Sequence, residues 1–167
     1  YLVRLTVEEE ESLFVKLAAR HHQTAVTNAP GYVIMPTYQC NLRCPYCFQD
    51  HMRTDPRNAH LLQSIDLTMA NRILAGMDTI DAAHGMTPDR KRSITFFGGE
   101  PLLAYNRPII EHLINGVLKR GKASFMAVTN ATEIDGYMDL MSPEMLSLLQ
   151  ITIDGPPAEH DRRRIYP

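Results

Sequence analysis

Four short apolar segments constrain the fold of this chain more than any other feature of its sequence. Each is separated from the next by a stretch long enough to hold a helix. The run at residues 93–97 contains the β-branched and aromatic residues that are common in strands. Runs this short predict buried strands rather than helices. Strands that alternate with helices favour a parallel sheet with right-handed crossovers. The sequence therefore predicts an α/β fold with strands at residues 32–35, 93–97, 124–128 and 150–153.

Helix signals fill the intervals between these strands. Thr6 and Glu9 have the capping-box spacing, which predicts a helix that ends near residue 19, with a connecting loop over residues 21–30. An apolar face with helical spacing predicts a second helix over residues 66–83.

Two prolines mark further helix starts. Pro108 suits the first turn of a third helix, because its missing N–H has no partner there in any case. Ser142 and Pro143 have the order of an N-cap and a first helical residue, which predicts a short helix before the last strand.

Each predicted strand is followed by residues that are unusual in a plain connecting loop. Because the carboxyl ends of parallel strands meet at one edge of a sheet, and ligands bind at that edge, these residues are expected to form one site. The four groups are a cysteine-containing loop, Gly98-Gly99-Glu100, Thr129-Asn130 and Asp154-Gly155.

The three cysteines of the chain all lie in the first of these loops, as Cys40, Cys44 and Cys47. Thiols this close hold a metal or an iron–sulfur cluster more often than they fill a core. Three thiolates on a four-iron cluster would leave one iron open to bind a small molecule. His51 provides an alternative, in which a closed Cys3His zinc site stabilises a non-catalytic binding module.

Composition excludes several classes of function. The net charge of −2 argues against a nucleic-acid surface, and the basic run at residues 162–164 is interpreted as a solvated face. No apolar stretch approaches the ~20 residues of a membrane helix. Free cysteines fit a reducing compartment, so we expect a cytoplasmic protein.

Two of these groups together resemble the radical S-adenosylmethionine (SAM) superfamily. They are the Cys-x3-Cys-x2-Cys loop, with an aromatic residue before its last cysteine, and the GGE motif at the end of the second strand. Residues 129–130 and 152–161 are similar to the TNG and SLDGP…HD stretches of a branch within it. That branch contains anaerobic sulfatase-maturating enzymes and peptide maturases with a SPASM extension.

The resemblance implies a fold and a domain organisation. The fold is a (βα)6 TIM-like barrel, of which about four βα units are present here. Residues 1–29 would form a helical leader, and residues 30–167 the N-terminal part of the radical SAM core. The chain is therefore expected to be a fragment that is inactive by itself.

The resemblance also implies a cluster site. Cys40, Cys44 and Cys47 would bind three irons of a [4Fe–4S] cluster, and the fourth iron would take the amino and carboxylate groups of SAM. Tyr46 would lie near the adenine.

The remaining SAM contacts follow in the same way. Gly98 and Gly99 would let the backbone approach the methionine moiety, and Glu100 would bind its ammonium group. Thr152 would contact the ribose, and Asn130 would lie on the same rim. Ala131 stands where the family usually has glycine.

The expected function is that of an enzyme that cleaves SAM reductively to a 5′-deoxyadenosyl radical, which abstracts hydrogen from a peptide or protein side chain. The expected partners are that substrate and a low-potential electron donor of the flavodoxin or ferredoxin type. The sequence identifies no catalytic acid or base.

Overall fold

A four-stranded parallel sheet forms the centre of the structure, a computed structural model that describes residues 5–27 and 29–166. The strands lie side by side in the order in which they occur along the chain. They are β1 (Gly31–Ile34), β2 (Arg92–Phe96), β3 (Ala123–Thr129) and β4 (Leu146–Ile151). This sequential parallel order confirms the predicted α/β fold and is consistent with part of a TIM-like barrel.

Helices precede the first strand, connect the strands and follow the last one. The α-helices are α1 (Val7–Thr27), α2 (Asp50–Thr54), α3 (Leu67–Ala83), α4 (Arg107–Leu118) and α5 (Pro157–Arg163). Shorter 3-10 helices occupy Pro56–Leu62, Ala104–Asn106 and Ile134–Leu140. None of the described helices is long and apolar enough to cross a lipid bilayer.

The hydrophobic core lies between one face of the sheet and helices α3 and α4. Side chains at alternate strand positions point into it, and Ile34, Phe96 and Ala127 form one row across β1, β2 and β3. The rings of Phe96 and Phe125 stack with their centroids 6.4 Å apart. Burial of this apolar area is the main stabilising contribution to the sheet.

The other face of the sheet carries a second row of side chains: Val33, Thr95, Met126 and Leu148. Val33 and Leu148 are exposed, and no helix among the described residues covers this face. Parallel sheets normally have both faces covered. The open face is what the inside of a partial barrel would present.

The first helix is longer than predicted. The capping box is present, because the Thr6 amide donates to Glu9 Oε2 (2.8 Å) and the Glu9 amide donates to Thr6 Oγ1 (3.3 Å). The predicted end near residue 19 and the loop over residues 21–30 are wrong, since the helix continues to Thr27. No glycine or proline interrupts it before Pro30, and the residue before a proline disfavours the α conformation.

The helix predicted at Ser142 and Pro143 is also wrong. Ser142 Oγ does accept a hydrogen bond from the Met145 amide (3.2 Å), as an N-cap would. The chain then extends at once, because Leu146 pairs with Phe125 of β3 and begins β4. Tertiary pairing overrides the local helix signal, so β4 begins four residues before the predicted position, 150.

Candidate functional site

The nine predicted site residues line one cavity at the carboxyl edge of the sheet. Its volume is about 200 Å³. One water molecule takes about 30 Å³ of liquid, so the cavity has room for a group of several atoms. The nine residues are Cys40, Cys44, Tyr46, Cys47, Gly98, Gly99, Glu100, Asn130 and Thr152.

The cysteine loop, residues 37–49, is anchored to helix α2 by two buried residues, Leu42 and Arg53. Leu42 is buried, and its carbonyl oxygen accepts a hydrogen bond from Arg53 Nη1 of helix α2 (2.7 Å). Cys44 is buried, whereas Cys40 and Cys47 are partly exposed. Burial raises the pKa of the Cys40 thiol, while the Leu42 amide and the Arg53 guanidinium act in the opposite direction.

Two of the three sulfurs receive hydrogen bonds from distant parts of the chain. Asn130 Nδ2, after β3, lies 3.6 Å from Cys40 Sγ. Arg164 Nη1, after α5, lies 3.7 Å from Cys44 Sγ. Such N–H···S contacts are among the interactions that tune iron–sulfur clusters.

The zinc alternative requires His51 beside the three thiols. Within residues 5–27 and 29–166, no three His, Cys, Asp or Glu side chains are placed to hold one metal ion. His51 is exposed on helix α2 and does not line the cavity. Cys40, Cys44 and Cys47, by contrast, all line the cavity.

The Gly98-Gly99 turn packs directly against the backbone of the cysteine loop. Gly98 has φ +130°, and a Cβ on it would lie 2.4 Å from the Thr37 carbonyl oxygen. A Cβ on Gly99 would lie 2.2 Å from the Gln39 carbonyl oxygen. The Gly99 amide donates to Thr37 O (3.1 Å), and the Glu100 amide donates to Gln39 O (2.8 Å). Glycine is therefore required here by the approach of two protein segments, a reason that the sequence did not reveal.

Glu100 is a buried carboxylate, 2% exposed, that joins the ends of β2 and β3. It accepts hydrogen bonds from the Leu102 amide (2.9 Å), Thr129 Oγ1 (2.7 Å) and the Asn130 amide (2.6 Å). Burial raises the pKa of Glu100, and these three bonds act against that rise. A carboxylate accepts about four hydrogen bonds, so one position remains for a donor in the cavity.

The loop after β3 is tied to the cysteine loop by amide side chains. Asn130 Nδ2 donates to Asn41 Oδ1 (2.9 Å), and Asn41 Nδ2 donates to Thr132 Oγ1 (2.7 Å). Ala131 adopts φ +61°. The left-handed conformation typical of glycine is thus kept at this position without a glycine.

Tyr46, Asp154 and Arg164 form a cluster at the outer rim of the cavity. The Tyr46 hydroxyl donates to Asp154 Oδ2 (2.5 Å), and Arg164 Nε donates to the same oxygen (2.8 Å). Although half of the Tyr46 side chain is exposed, desolvation and the bond to Asp154 raise the pKa of Tyr46 to about 12. Thr152 lies on this rim and is exposed.

Sequence reasoning missed the two arginines of the site. The run at residues 162–164 was interpreted as a solvated face, and this is wrong for Arg164, whose side chain is 13% exposed. Helix α5, which returns it to the cavity, is too short to produce a recognisable periodicity. Arg53 also lines the cavity, from helix α2. Its position in a polar segment gave no signal of burial.

A comparison with known families decides which class of protein has this site. The profile of the radical SAM superfamily matches residues 34–166. This chain belongs to the radical SAM superfamily. The match includes every residue that lines the cavity.

One curated relative is a molybdenum cofactor biosynthesis protein 1 from Dictyostelium discoideum, which is 29% identical over 119 residues. The aligned region is 71% of this chain but only 16% of the relative, so the radical SAM chain spans about a sixth of that protein's length. No solved structure matches the chain significantly.

The cofactors of the radical SAM superfamily are a [4Fe–4S] cluster and SAM, and the cavity residues fit both. Three thiols line the cavity, and two of their sulfurs have N–H donors from distant parts of the chain. The sequence has no fourth cysteine, so one iron would keep an open position. The remaining acceptor of Glu100 suits an ammonium group, for which a charge-assisted hydrogen bond is available.

Proposed function

We propose that this chain is the SAM-cleaving part of a radical SAM enzyme. The observation that supports this most directly is that the cysteine loop and the Gly98–Glu100 turn converge on one cavity. When bound at Cys40, Cys44 and Cys47, a reduced [4Fe–4S] cluster would supply the electron for reductive cleavage of SAM. The protein residues bind and orient the cofactors, as in other cofactor enzymes.

The proposed cluster ligands are Cys40, Cys44 and Cys47. Leu42 and Arg53 anchor the loop that carries them. A loop that is already anchored loses less conformational entropy when it binds a ligand.

The proposed SAM contacts line the same cavity as the three cysteines. Glu100 would bind the ammonium group, next to the backbone of Gly98 and Gly99. Tyr46 would lie at the adenine and Thr152 at the ribose, with Asn130 on the same rim.

We further propose a peptide or protein side chain as the substrate and a flavodoxin- or ferredoxin-type electron donor in the cytoplasm. The resemblance of residues 129–130 and 152–161 to the SPASM-type maturase branch supports this. In that arrangement residues 1–29 would be a leader segment, and residues 30–167 would be the N-terminal part of the core. A second candidate is a step in molybdenum cofactor biosynthesis, which the 29% identity to the Dictyostelium discoideum protein favours.

Anaerobic reconstitution with iron and sulfide tests the cofactor assignment. We expect about four irons per chain, and an electron paramagnetic resonance (EPR) signal of the reduced cluster that changes when SAM is added. Cys47→Ala should lose most of the iron, whereas the matched variant His51→Ala should keep it. Uptake of one zinc and no iron, with equal losses in both variants, would contradict the proposal.

The genes next to this one separate the two substrate classes. A neighbouring precursor peptide or sulfatase gene would favour the maturase, and 5′-deoxyadenosine release by the full-length enzyme should then rise when that peptide is added. Neighbouring molybdenum cofactor genes, with no stimulation by the peptide, would favour the second candidate.

A further inference from the structure

Arg164 differs sharply from the two arginines that precede it. Arg162 and Arg163 are 70% and 47% exposed, and both pair with Glu159 on their own helix, α5. The side chain of Arg164 is only 13% exposed and leaves the helix for the cavity. Burial of a guanidinium costs free energy unless it is paired and hydrogen-bonded, so its partners matter.

Three partners fix the Arg164 guanidinium in place. Nε donates to Asp154 Oδ2 (2.8 Å), Nη1 lies 3.7 Å from Cys44 Sγ, and Cζ lies 5.6 Å from the centre of the Tyr46 ring. The next residue is held as well, because the Ile165 carbonyl accepts from the Arg43 amide (2.6 Å). The end of α5 is therefore attached to the cysteine loop on both sides of Cys44.

We propose that Arg164 is a positioning residue that raises the reduction potential of the cluster through its hydrogen bond to the Cys44 sulfur. This inference rests on the proposed function, because it requires the cysteine loop to bind the cluster. Hydrogen bonds to the sulfurs and nearby charge set the potential of an iron–sulfur cluster. One-electron reduction makes the cluster more negative, so a positively charged donor stabilises the reduced form more than the oxidised form.

Asp154 acts on the cluster through Arg164. Its carboxylate partly offsets the charge of the guanidinium, but it also fixes the plane of the guanidinium so that Nη1 faces the sulfur. Asn130, which contacts Cys40, is a neutral donor. Because charged donors form the stronger hydrogen bonds, Arg164 should have the larger effect on the potential.

A mediated redox titration with dithionite, followed by EPR in the absence of SAM, tests this in the reconstituted protein. At the wild-type midpoint, Arg164→Gln should lower the ratio of reduced to oxidised cluster about tenfold, which corresponds to about 59 mV for a one-electron couple. Arg164→Lys keeps the charge but loses the fork geometry, so a fall of about threefold is expected. The exposed neighbour serves as the control, and Arg163→Gln should leave the ratio unchanged.

A purely structural role makes a different prediction. It would lower the iron content of Arg164→Gln but leave the potential of the bound cluster at the wild-type value, and that result would overturn the proposal. If Arg164→Gln binds no cluster, the potential of Arg164→Lys decides, and a wild-type value there would overturn the proposal. Failure of both variants to hold a cluster would also overturn the proposal. Failure of the proposed function is distinct, since the wild-type protein itself would then take up no cluster.

Discussion

Ala131 shows how a single residue can keep a turn that glycine would form more easily. Its φ of +61° lies in the left-handed region, where a Cβ atom costs roughly 1–2 kcal/mol. The flanking residues hold the turn, because the Thr132 amide donates to Asn130 Oδ1 (3.0 Å) and the Ala131 amide donates to Thr129 Oγ1 (2.9 Å). The local strain is thus maintained by hydrogen bonds that also position Asn130 at the cavity.

We expect Ala131→Gly to raise the free energy of unfolding by about 1 kcal/mol, because relief of strain exceeds the entropy cost of glycine. Chemical denaturation measures this. Ala75→Gly, at an exposed position in the interior of α3, is the matched control and should lower stability by about 1 kcal/mol. Equal losses in both variants would show that the Ala131 turn is not strained.

Glu100→Gln should weaken SAM binding at least about tenfold, since a charge-assisted hydrogen bond contributes roughly 1.5–3 kcal/mol. The side-chain amide would also face the Asn130 amide, which donates to Glu100 Oε2 now. Calorimetry with SAM on the reconstituted protein is the measurement. Glu133→Gln changes a carboxylate outside the cavity, which accepts from the Ala104 amide, and should leave SAM affinity intact. Equal affinity in wild type and Glu100→Gln would remove Glu100 from the SAM site.

At the scale of elements, the end of β2 and the cysteine loop behave as one unit. Hydrogen bonding of the parallel pair continues past the strands, from the Phe97 amide to Ile34 O (2.9 Å) and from the Glu100 amide to Gln39 O (2.8 Å). The glycines between them leave no room for a side chain. The position of the thiols therefore depends on a contact between backbones.

Gly99→Ala should displace the cysteine loop, lower stability by about 2 kcal/mol and reduce iron uptake by more than half. The new Cβ would lie 2.3 Å from Tyr38 O as well as against Gln39 O. Thermal unfolding and iron analysis measure the two effects. Gly76→Ala is the control, because no atom lies within 4 Å of its added Cβ in helix α3, and it should gain about 1 kcal/mol. Normal iron uptake by Gly99→Ala would show that the loop adapts.

The opposite end of the sheet is held by a buried polar group. The Tyr32 hydroxyl donates to Asp81 Oδ1 (2.5 Å), and Arg92 Nε donates to Asp81 Oδ2 (2.6 Å). These contacts join β1, α3 and β2 at the end of the sheet away from the cavity. Burial, followed by the bond to Asp81, raises the pKa of Tyr32 above its usual value.

Because this pKa is higher in the folded protein, the stabilising contribution of Tyr32 is complete below about pH 10 and is lost as the pH rises further. Tyr32→Phe should reduce the fall in unfolding free energy between about pH 9 and about pH 11. At neutral pH it should cost about 1–2 kcal/mol. Tyr166→Phe, at an exposed position, should leave both quantities unchanged. If the unfolding free energy of Tyr32→Phe fell with rising pH as steeply as that of wild type, the role of Tyr32 would be contradicted.

At the scale of the whole molecule, the sheet has one covered face and one open face. The open row includes Val33 at one edge of the sheet and Leu148 at the other. Exposed apolar edge strands favour pairing between chains. Single substitutions of exposed residues on this face should therefore change self-association more than other properties of the protein.

Leu148→Lys should reduce self-association by severalfold in concentrated solution without loss of folded structure, because a lysine on an edge strand opposes pairing. Light scattering across a concentration series is the measurement. Leu67→Lys replaces an exposed leucine on helix α3 and should have little effect. Equal reductions in both variants would attribute the change to net charge alone.

The parallel sheet and the cavity could be predicted because they depend on local patterns: short apolar runs, the spacing of Cys40, Cys44 and Cys47, and glycines at a strand end. The turn at Ser142 could not, because β4 pairing decides it. The burial of Arg164 could not either, since its partners are distant in sequence. Both features depend on contacts between residues that are far apart in the sequence.

The contact between Arg164 and Cys44 can form only late in the synthesis of the chain. The two residues are 120 positions apart in the sequence. A ribosome that adds about 5–20 residues per second needs about 6–24 seconds to cover that interval. For that period Cys44 of the nascent chain lacks the guanidinium that contacts its sulfur in the folded protein. Any tuning of a cluster by this arginine therefore begins only after residue 164 has been synthesised.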